Sequence, residues 1–244
     1  MFEGKKYELN EYLYLIKFFQ KTERYQEMVK ALNKYIEQNP KLSLEEQSLL
    51  CDGYKNIISD KRKSLQLLEN YLMKEEKKEE ITNYKKQINI VKEKIKNEFS
   101  KIFNDNILIL DKYLIPNSQN YESKVLYIKL KADYYRYHCE FAEGDNFEES
   151  KNKAENLYKE AYKIALEYIS VYNPIRLGLA LNYSIFVYEV LDNKNEGYNI
   201  AQKAYDEAMS VVDSAEKKRS SDTLLIIQLL KENLNMWSNE MEGY

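Results

Sequence analysis

Turn-forming residues are scarce in this chain. Its 244 residues include 6 glycines and 3 prolines, too few to punctuate an all-β or α/β protein of this length, whose many turns draw on both. Long helices joined by few loops fit better. Cysteine is scarcer still. Cys51 and Cys139 each lie inside a helical pattern, form no Cys-x-x-Cys pair, and have His138 as the one imidazole in the chain, which argues against a zinc site. Two unpaired thiols suit a reducing cytosol better than secretion. No apolar run approaches the length that spans a bilayer; the stretch 107–110 is among the longest. Residues 1–6 lead into no apolar signal core, and Phe2 excludes N-myristoylation. Neither sign of charge dominates, since 37 Lys and Arg stand against 40 Asp and Glu for a net −3. A general basic surface for nucleic acid is therefore not expected, and any basic site must be local. Also missing are a phosphate-binding GxxxxGK[ST], a GxGxxG and a GxSxG. No carboxylate cluster has metal spacing, so no catalytic residue, metal or cofactor is expected.

What the chain has is apolar and charged residues in helical rhythm. Hydrophobic residues make up 44% and charged residues 32%, which allows a core with a solvated exterior in one large domain or two small ones. Leu9, Tyr12, Leu13, Ile16 and Phe19 recur at three and four and predict a helix over 7–21. The pattern shifts at Glu23-Arg24-Tyr25, and a second helix runs to about Gln38, stopped by Asn39-Pro40. Ser43 and Glu46 form a capping-box signature that opens a long third helix through Tyr54, Ile57, Leu65 and Leu68. The mixed charges of 74–80 read as a solvated helix end or loop. A near coiled-coil rhythm follows in Ile81, Tyr84, Ile88, Val91, Ile95 and Ile102. Glu98 stands where that rhythm asks for an apolar residue; a partner charge and the end of the seam explain it equally well. Leu114-Ile115-Pro116-Asn117 stops this helix, and a fifth ends at Gly144-Asp145-Asn146. A sixth covers about 147–170, and a seventh starts at the cap-and-proline pair Asn173-Pro174. An eighth covers about 196–212, and a ninth, capped by Ser221 or Asp222, runs past Trp237. No helix-pair repeat of fixed period emerges, which weighs against a solenoid. About nine helices on short loops should lie antiparallel to their neighbours.

Two of these helices carry one device. Lys129 and Arg136 are seven apart, within about 20° of one face, and Asp133 and Tyr137 fall on the same strip. Lys55 and Arg62 repeat the spacing. Either strip alone reads first as a solvated helix face. Side by side they could set four cations around one anion, the members of each pair about 10 Å apart along the axis. That suits a phosphate, with Tyr137 as hydroxyl donor. His138, beside Tyr137, reads as a core or boundary residue.

The C-terminal helices carry further marks. Gly178 lies inside a helix, where glycine costs about 1 kcal/mol relative to alanine; close packing of a neighbour or of a ligand backbone would explain it. Asn182 and Glu189 are seven apart on one face, near Leu181 and Ile185. The last helix is apolar nearly all round as far as Leu230. Leu225, Leu229, Asn233 and Met236 share one strip; Ile226, Leu230, Asn233 and Trp237 share its neighbour. Such a helix is either wholly buried or lines a groove that a partner closes, and composition leaves both open.

Several stretches together resemble the 14-3-3 family over essentially the whole chain. They are Tyr54-Lys55-Asn56 with Arg62, Leu114-Ile115-Pro116-Asn117, Glu122-Ser123-Lys124-Val125, Asp133-Tyr134-Tyr135-Arg136-Tyr137, the run from Asn173-Pro174 to Asn182, Tyr205-Asp206-Glu207-Ala208, and the helix over 222–237. The resemblance implies an all-α fold of nine antiparallel helices forming a cup-shaped groove. It implies a single domain over 1–244, with 1–114 supplying dimerisation and the groove floor and 119–240 the groove helices. A homodimer through the N-terminal helices is implied, with heterodimers an open alternative. The implied function is a non-enzymatic adaptor that holds phosphoserine or phosphothreonine segments of client proteins in signalling. Its setting would be the cytoplasm, with the nucleus as a second compartment, and its partners would include neither nucleic acid nor membrane.

By motif position, Lys55, Arg62, Arg136 and Tyr137 would hold the phosphate, with Lys129 beside it. Asn182 and Asn233 would bond the ligand backbone, with Glu189 and Trp237 nearby, and Leu181, Ile185, Leu225, Ile226 and Leu229 would form the apolar wall. At the implied dimer interface, the first two helices meet the third and fourth of the partner. Phe18 and Ile16 would supply apolar burial, Arg24 would pair with Glu98 and Glu27 with Lys94, and Ser64 is the position where phosphorylation is expected to open the dimer. Lys61 and Lys63 flank it and could neutralise part of an added charge. The chain departs from the family pattern at Ser59-Asp60, Lys61 and Leu65. A constitutive helical scaffold for unmodified peptides or helices is the rival reading; the basic strips favour the phosphopeptide adaptor and the apolar last helix permits both.

Overall fold

A computed structural model describes residues 7–75, 79–211 and 221–243, less the side chains of 74, 75 and 79–84. Among the described residues the chain is helical throughout its regular structure, with no strand. In chain order the helices are α1 (Leu9–Lys21), α2 (Tyr25–Gln38), α3 (Leu44–Glu75), α4 (Glu79–Ile109), α5 (Tyr121–Cys139), α6 (Asp145–Tyr168), α7 (Pro174–Ile185), α8 (Lys194–Ser210) and α9 (Ser221–Glu242). Among the described residues the expected all-α, nine-helix class holds, with boundaries within a few residues of those read from sequence. The charged side chains of 74–80, residues 1–6, Val212, and the side chains of Ile81 and Tyr84 lie outside the described residues.

Local chemistry explains where the helices start and stop. At the head of α3 the Ser43 N–H donates to Glu46 Oε2 at 2.7 Å while the Glu46 N–H reaches Ser43 Oγ at 3.4 Å, the reciprocal capping box. Asn173 Oδ1 accepts the Ile175 N–H at 2.8 Å, with Pro174 in the first helical position. The α1–α2 junction uses no glycine. Glu23 takes a left-handed conformation, φ 57°. The Arg24 N–H then bonds the Phe19 carbonyl at 2.9 Å and the Glu23 N–H bonds that of Gln20 at 3.1 Å, which closes α1 as a Schellman motif. Two helices end in π-type turns, Leu110–Leu114 after α4 and Phe186–Val190 after α7. The second is marked by the Leu191 N–H bonding the Phe186 carbonyl at 3.1 Å.

The chain forms two compact units, Met1–Asn117 and Ser118–Tyr244. In the first, α1 packs on α2, and α2 on α3. Its core holds Tyr12, Ile16, Phe19, Met28, Leu32, Ile36, Leu50, Tyr54 and Ile58, each large apolar side chain contributing about 1.5–3 kcal/mol by its burial. On α4 the described buried residues are Phe99, Asn106 and Ile109; Ile88, Ile95 and Ile102 are half-buried and Val91 is exposed, so the coiled-coil rhythm is not this unit's core face. In the second unit α5 packs along α6, and α7, α8 and α9 pack on one another. The buried face of α6 is Ser150, Ala154, Tyr158, Ala161 and Ala165: small residues that admit a close neighbour, with one large hydroxyl-bearing side chain among them. Among the described residues no helix is long and apolar enough to cross a membrane, and no group of three or more His, Cys, Asp or Glu residues could hold a metal ion.

Candidate functional site

The densest polar network in the second unit is centred on Asp133, which is 4% exposed. Lys129 Nζ donates to its Oδ2 at 2.7 Å from one turn earlier on α5. The Tyr158 hydroxyl donates to its Oδ1 from α6. Asn182 Nδ2, from α7, lies 2.9 Å from both carboxylate oxygens. Arg136 is 8% exposed; its Nε donates to the Tyr158 hydroxyl at 3.2 Å, and its guanidinium carbon sits 4.4 Å from the centroid of the Tyr137 ring. The hydrogen bonds thus run as a relay from Arg136 Nε through the Tyr158 hydroxyl to Asp133 Oδ1.

The electrostatics follow from that geometry. Burial by itself pushes the Asp133 carboxyl up, but the Lys129 and Arg136 charges outweigh burial and hold it below the usual carboxylate range. Burial and the Asp133 charge push the Tyr158 hydroxyl well up, so it remains a donor. Burial opposes the Arg136 charge, yet Tyr158, Tyr137 and Asp133 more than offset it and the guanidinium stays protonated.

Of the expected phosphate ligands, Lys129 and Arg136 are therefore brought together in the second unit, and Tyr137 is half-buried beside Arg136. In the first unit Lys55 is exposed and Arg62 half-buried on α3. The nearly buried cation there is Lys61, whose Nζ lies 2.8 Å from Glu98 Oε2 on α4. That pair explains the charge in the α4 rhythm, and the Lys61 hydrogen bond and charge hold the Glu98 carboxyl below its usual value. Lys61 is thus already engaged and is not a spare cation for Ser64, which is half-buried.

The apolar wall divides. Leu225 and Leu229 on α9 are 56% and 38% exposed, and Ile226 and Ile185 pack half-buried against the core of α7, α8 and α9. Leu181 is buried in that core and is not an open wall residue. Trp237, expected near the backbone-binding asparagines, is 1% exposed, and its ring stacks on Tyr188 with centroids 4.3 Å apart. The Trp237 Nε1 is a buried donor with no partner among the described residues. Asn233 is half-buried and Glu189 exposed. Between Asn182 and Glu189 the helix passes into the π turn over Phe186–Val190, which advances fewer degrees per residue than the α-helix assumed in the seven-residue spacing. A Cβ built on Gly178 would lie 3.8 Å from Ile226 Cδ1 and 3.9 Å from Lys129 Cε, so Gly178 sits between the cation on α5 and the apolar strip of α9. Sequence reasoning missed Tyr158, for which the signal was a lone bulky hydroxyl residue in the alanine face of α6.

The residues expected at a dimer interface also divide. Phe18 is 47% exposed, but Ile16 is wholly buried within its own unit and is not available to a partner. Arg24 bonds Glu27 one turn on in the same helix, which holds the Glu27 carboxyl below its usual value; Lys94 is exposed. Neither Cys51 nor Cys139 takes part in a disulfide, and His138 Nδ1 lies 2.8 Å from the buried Ser150 Oγ.

Comparison with known proteins identifies the family of the chain. The family model described as 14-3-3 protein matches residues 15–238. The chain is 39% identical to 14-3-3 protein beta/alpha of Homo sapiens over 227 residues, 93% of this chain and 91% of that one. It is 41% identical over 233 residues to Checkpoint signal transducer rad25 of Schizosaccharomyces pombe, covering 94% of this chain and 85% of that one. It is 38% identical to 14-3-3-like protein GF14 epsilon of Arabidopsis thaliana, over 94% of this chain and 90% of that one.

Proposed function

The chain belongs to the 14-3-3 family, and from that premise we propose that it is a non-enzymatic adaptor that binds phosphoserine or phosphothreonine segments of client proteins. The observation that carries the reading is the pair of cations held beside Asp133. Lys129 and Arg136 both approach this carboxylate in a largely buried network. Two cations fixed close together where water screens poorly suit a phosphate, which bears about −1.5 to −2 charges. Beside the cations, across Gly178, begins the apolar strip of α9 that an extended peptide would cover. On this reading the phosphate falls to Lys55, Arg62, Lys129, Arg136 and Tyr137, the backbone to Asn182 and Asn233, and the cover to Ile185, Leu225, Ile226 and Leu229. Work in the cytoplasm belongs to the same proposal. The direct test is calorimetric titration with one peptide in phosphorylated and unphosphorylated forms. Binding of the phosphorylated form alone is expected; equal binding of both would instead identify a scaffold for unmodified segments, a reading that the exposed strip of α9 by itself also permits.

The adaptor is proposed to work as a homodimer through its N-terminal helices. The exposed Phe18 and the half-buried strip of α4 support this. Pairing of Arg24 with Glu98 and of Glu27 with Lys94 across subunits would require Arg24 and Glu98 to exchange or share their present partners, and rim pairs contribute only about 0–1 kcal/mol each. Apolar burial must supply the rest. A dianion at half-buried Ser64 would be forced into the seam. Sedimentation over a dilution series should show a wild-type dimer, shifted toward monomer by Ser64→Glu. A wild-type monomer at micromolar concentration would refute the dimer, and an unmoved equilibrium in the variant would refute the switch.

A further inference from the structure

We propose that Asp133 is a positioning residue that fixes the polarity of the Asn182 amide, so that the site receives an extended peptide through a backbone N–H rather than a backbone carbonyl. This rests on the phosphopeptide reading above. The two ends of an asparagine amide are nearly equal in size, and the hydrogen bonds around them decide which way they face. Here the decision is forced. Asn182 Nδ2 lies 2.9 Å from each oxygen of Asp133. An ionised carboxylate only accepts, so the reversed amide would lose these bonds and set its oxygen against a negative charge. Asp133 cannot turn away, because the Tyr158 hydroxyl from α6 holds Oδ1 and Lys129 holds Oδ2 at 2.7 Å.

The amide oxygen of Asn182 is consequently the end turned from Asp133, and no group among the described residues donates to it. Asn182 is half-buried one helical turn beyond Gly178 on α7, where Lys129 Cε and Ile226 Cδ1 would lie 3.9 and 3.8 Å from a Cβ built on the glycine. An extended peptide turns a backbone N–H to a given side at every second residue. One such donor matches the acceptor that Asp133 has set. The same carboxylate anchors Lys129 and faces Arg136, so the distance from phosphate to backbone contact is held by one residue. Ligand register then follows from Asp133 rather than from Asn182 alone.

The test uses a phosphoserine peptide selected on the wild-type chain from a degenerate library, and a set of analogues each N-methylated at one backbone nitrogen. In the wild type one analogue should lose about five- to tenfold more affinity than its neighbours, the worth of one hydrogen bond. In Asp133→Asn, where either end of Asn182 can face position 133, that extra loss should shrink to the level of the neighbouring analogues. A merely structural role for Asp133 would weaken every analogue by the same factor and preserve the pattern. An unchanged pattern in folded Asp133→Asn, with phosphate dependence intact, would overturn this inference alone. A wild type that binds phosphorylated and unphosphorylated peptide equally would overturn the parent reading with it. Should Asp133→Asn fail to fold, Asn182→Ala decides: loss of the extra penalty supports the assignment, and its persistence overturns it.

Discussion

Helices α3 and α5 carry the same seven-residue Lys/Arg spacing, yet the fold gives the two pairs different surroundings. On α5 the strip is drawn inward. Arg136 is almost wholly buried, Lys129 is anchored on Asp133, and the alanine face of α6 brings the Tyr158 hydroxyl within reach of both charges. On α3 the strip stays outward, with Lys55 exposed and Arg62 half-buried, and the cation taken inward is Lys61, which has a carboxylate waiting on α4. Spacing sets which residues share a strip. A counter-charge within reach, on the same helix for Arg136 and on a neighbouring one for Lys61, sets whether a cation can be buried.

The sharpest way to break this contrast is to reverse one charge on each helix. Arg136→Glu puts a second carboxylate beside Asp133 in a closed site, and should cost about 3–5 kcal/mol of stability as well as phosphopeptide binding. Arg62→Glu, half-buried on α3, should abolish binding while the helical circular-dichroism signal and melting temperature stay near wild type. Equal losses of melting temperature in the two variants would show that the strips are not differently buried. Phosphopeptide affinity unchanged in the folded Arg62→Glu chain would remove Arg62 from the site.

The apolar wall offers the same contrast on a smaller scale. Leu181 and Leu229 share one expected role, but Leu181 lies in the core and Leu229 is open. Leu181→Asp buries a carboxylate among apolar groups and should unfold the second unit. Leu229→Asp should melt near wild type and weaken the peptide without touching the phosphate contacts. A Leu229→Asp chain that binds normally would make the strip of α9 irrelevant to the ligand.

A third difference is electrostatic and can be read in pH. The folded Asp133 carboxyl titrates below its ordinary value of 3.8, so on acidification the unfolded chain takes up this proton first. Its contribution to stability is complete above that value and is lost as pH falls through the lower folded value. Denaturation midpoints followed from about pH 6 to 2 should fall more steeply in the wild type than in Asp133→Asn, which has no such proton to bind. Parallel acid limbs would mean that Asp133 is not stabilised as an anion.

How much of this was legible depended on how far apart the interacting residues are. The start of α3 was legible because both halves of its capping box lie within one turn, and so was that of α7, where Asn173 and Pro174 are adjacent. The stop at Glu23 was visible as a shift of pattern, though not as a left-handed residue, since no glycine announces it. The π turns have no residue signature, and one of them lies between Asn182 and Glu189. The Asp133 network joins α5 to residues 25 and 49 positions later, beyond any local pattern. The family resemblance named Leu181 and Trp237 for the groove by position, but position does not report exposure, and both are buried.

The smallest predicted effect concerns two glycines of the second unit, both inside helices and kept for opposite reasons. A Cβ on Gly197 would stand 2.8 Å from Tyr188 Cβ and 2.9 Å from the Ser184 carbonyl oxygen. There the protein itself needs glycine, and Gly197→Ala should destabilise by about 1–3 kcal/mol. A Cβ on Gly178 would meet ordinary contacts at 3.8 and 3.9 Å, so packing alone would accept alanine, and helix propensity favours it by about 1 kcal/mol. Gly178→Ala should therefore melt slightly above wild type. If a ligand backbone runs through the lane beside Lys129, the same methyl should lower phosphopeptide affinity while stability rises. A stabilised variant with full affinity would place the ligand away from Gly178. A destabilised one would mean that the neighbouring side chains, and not a ligand, require the glycine.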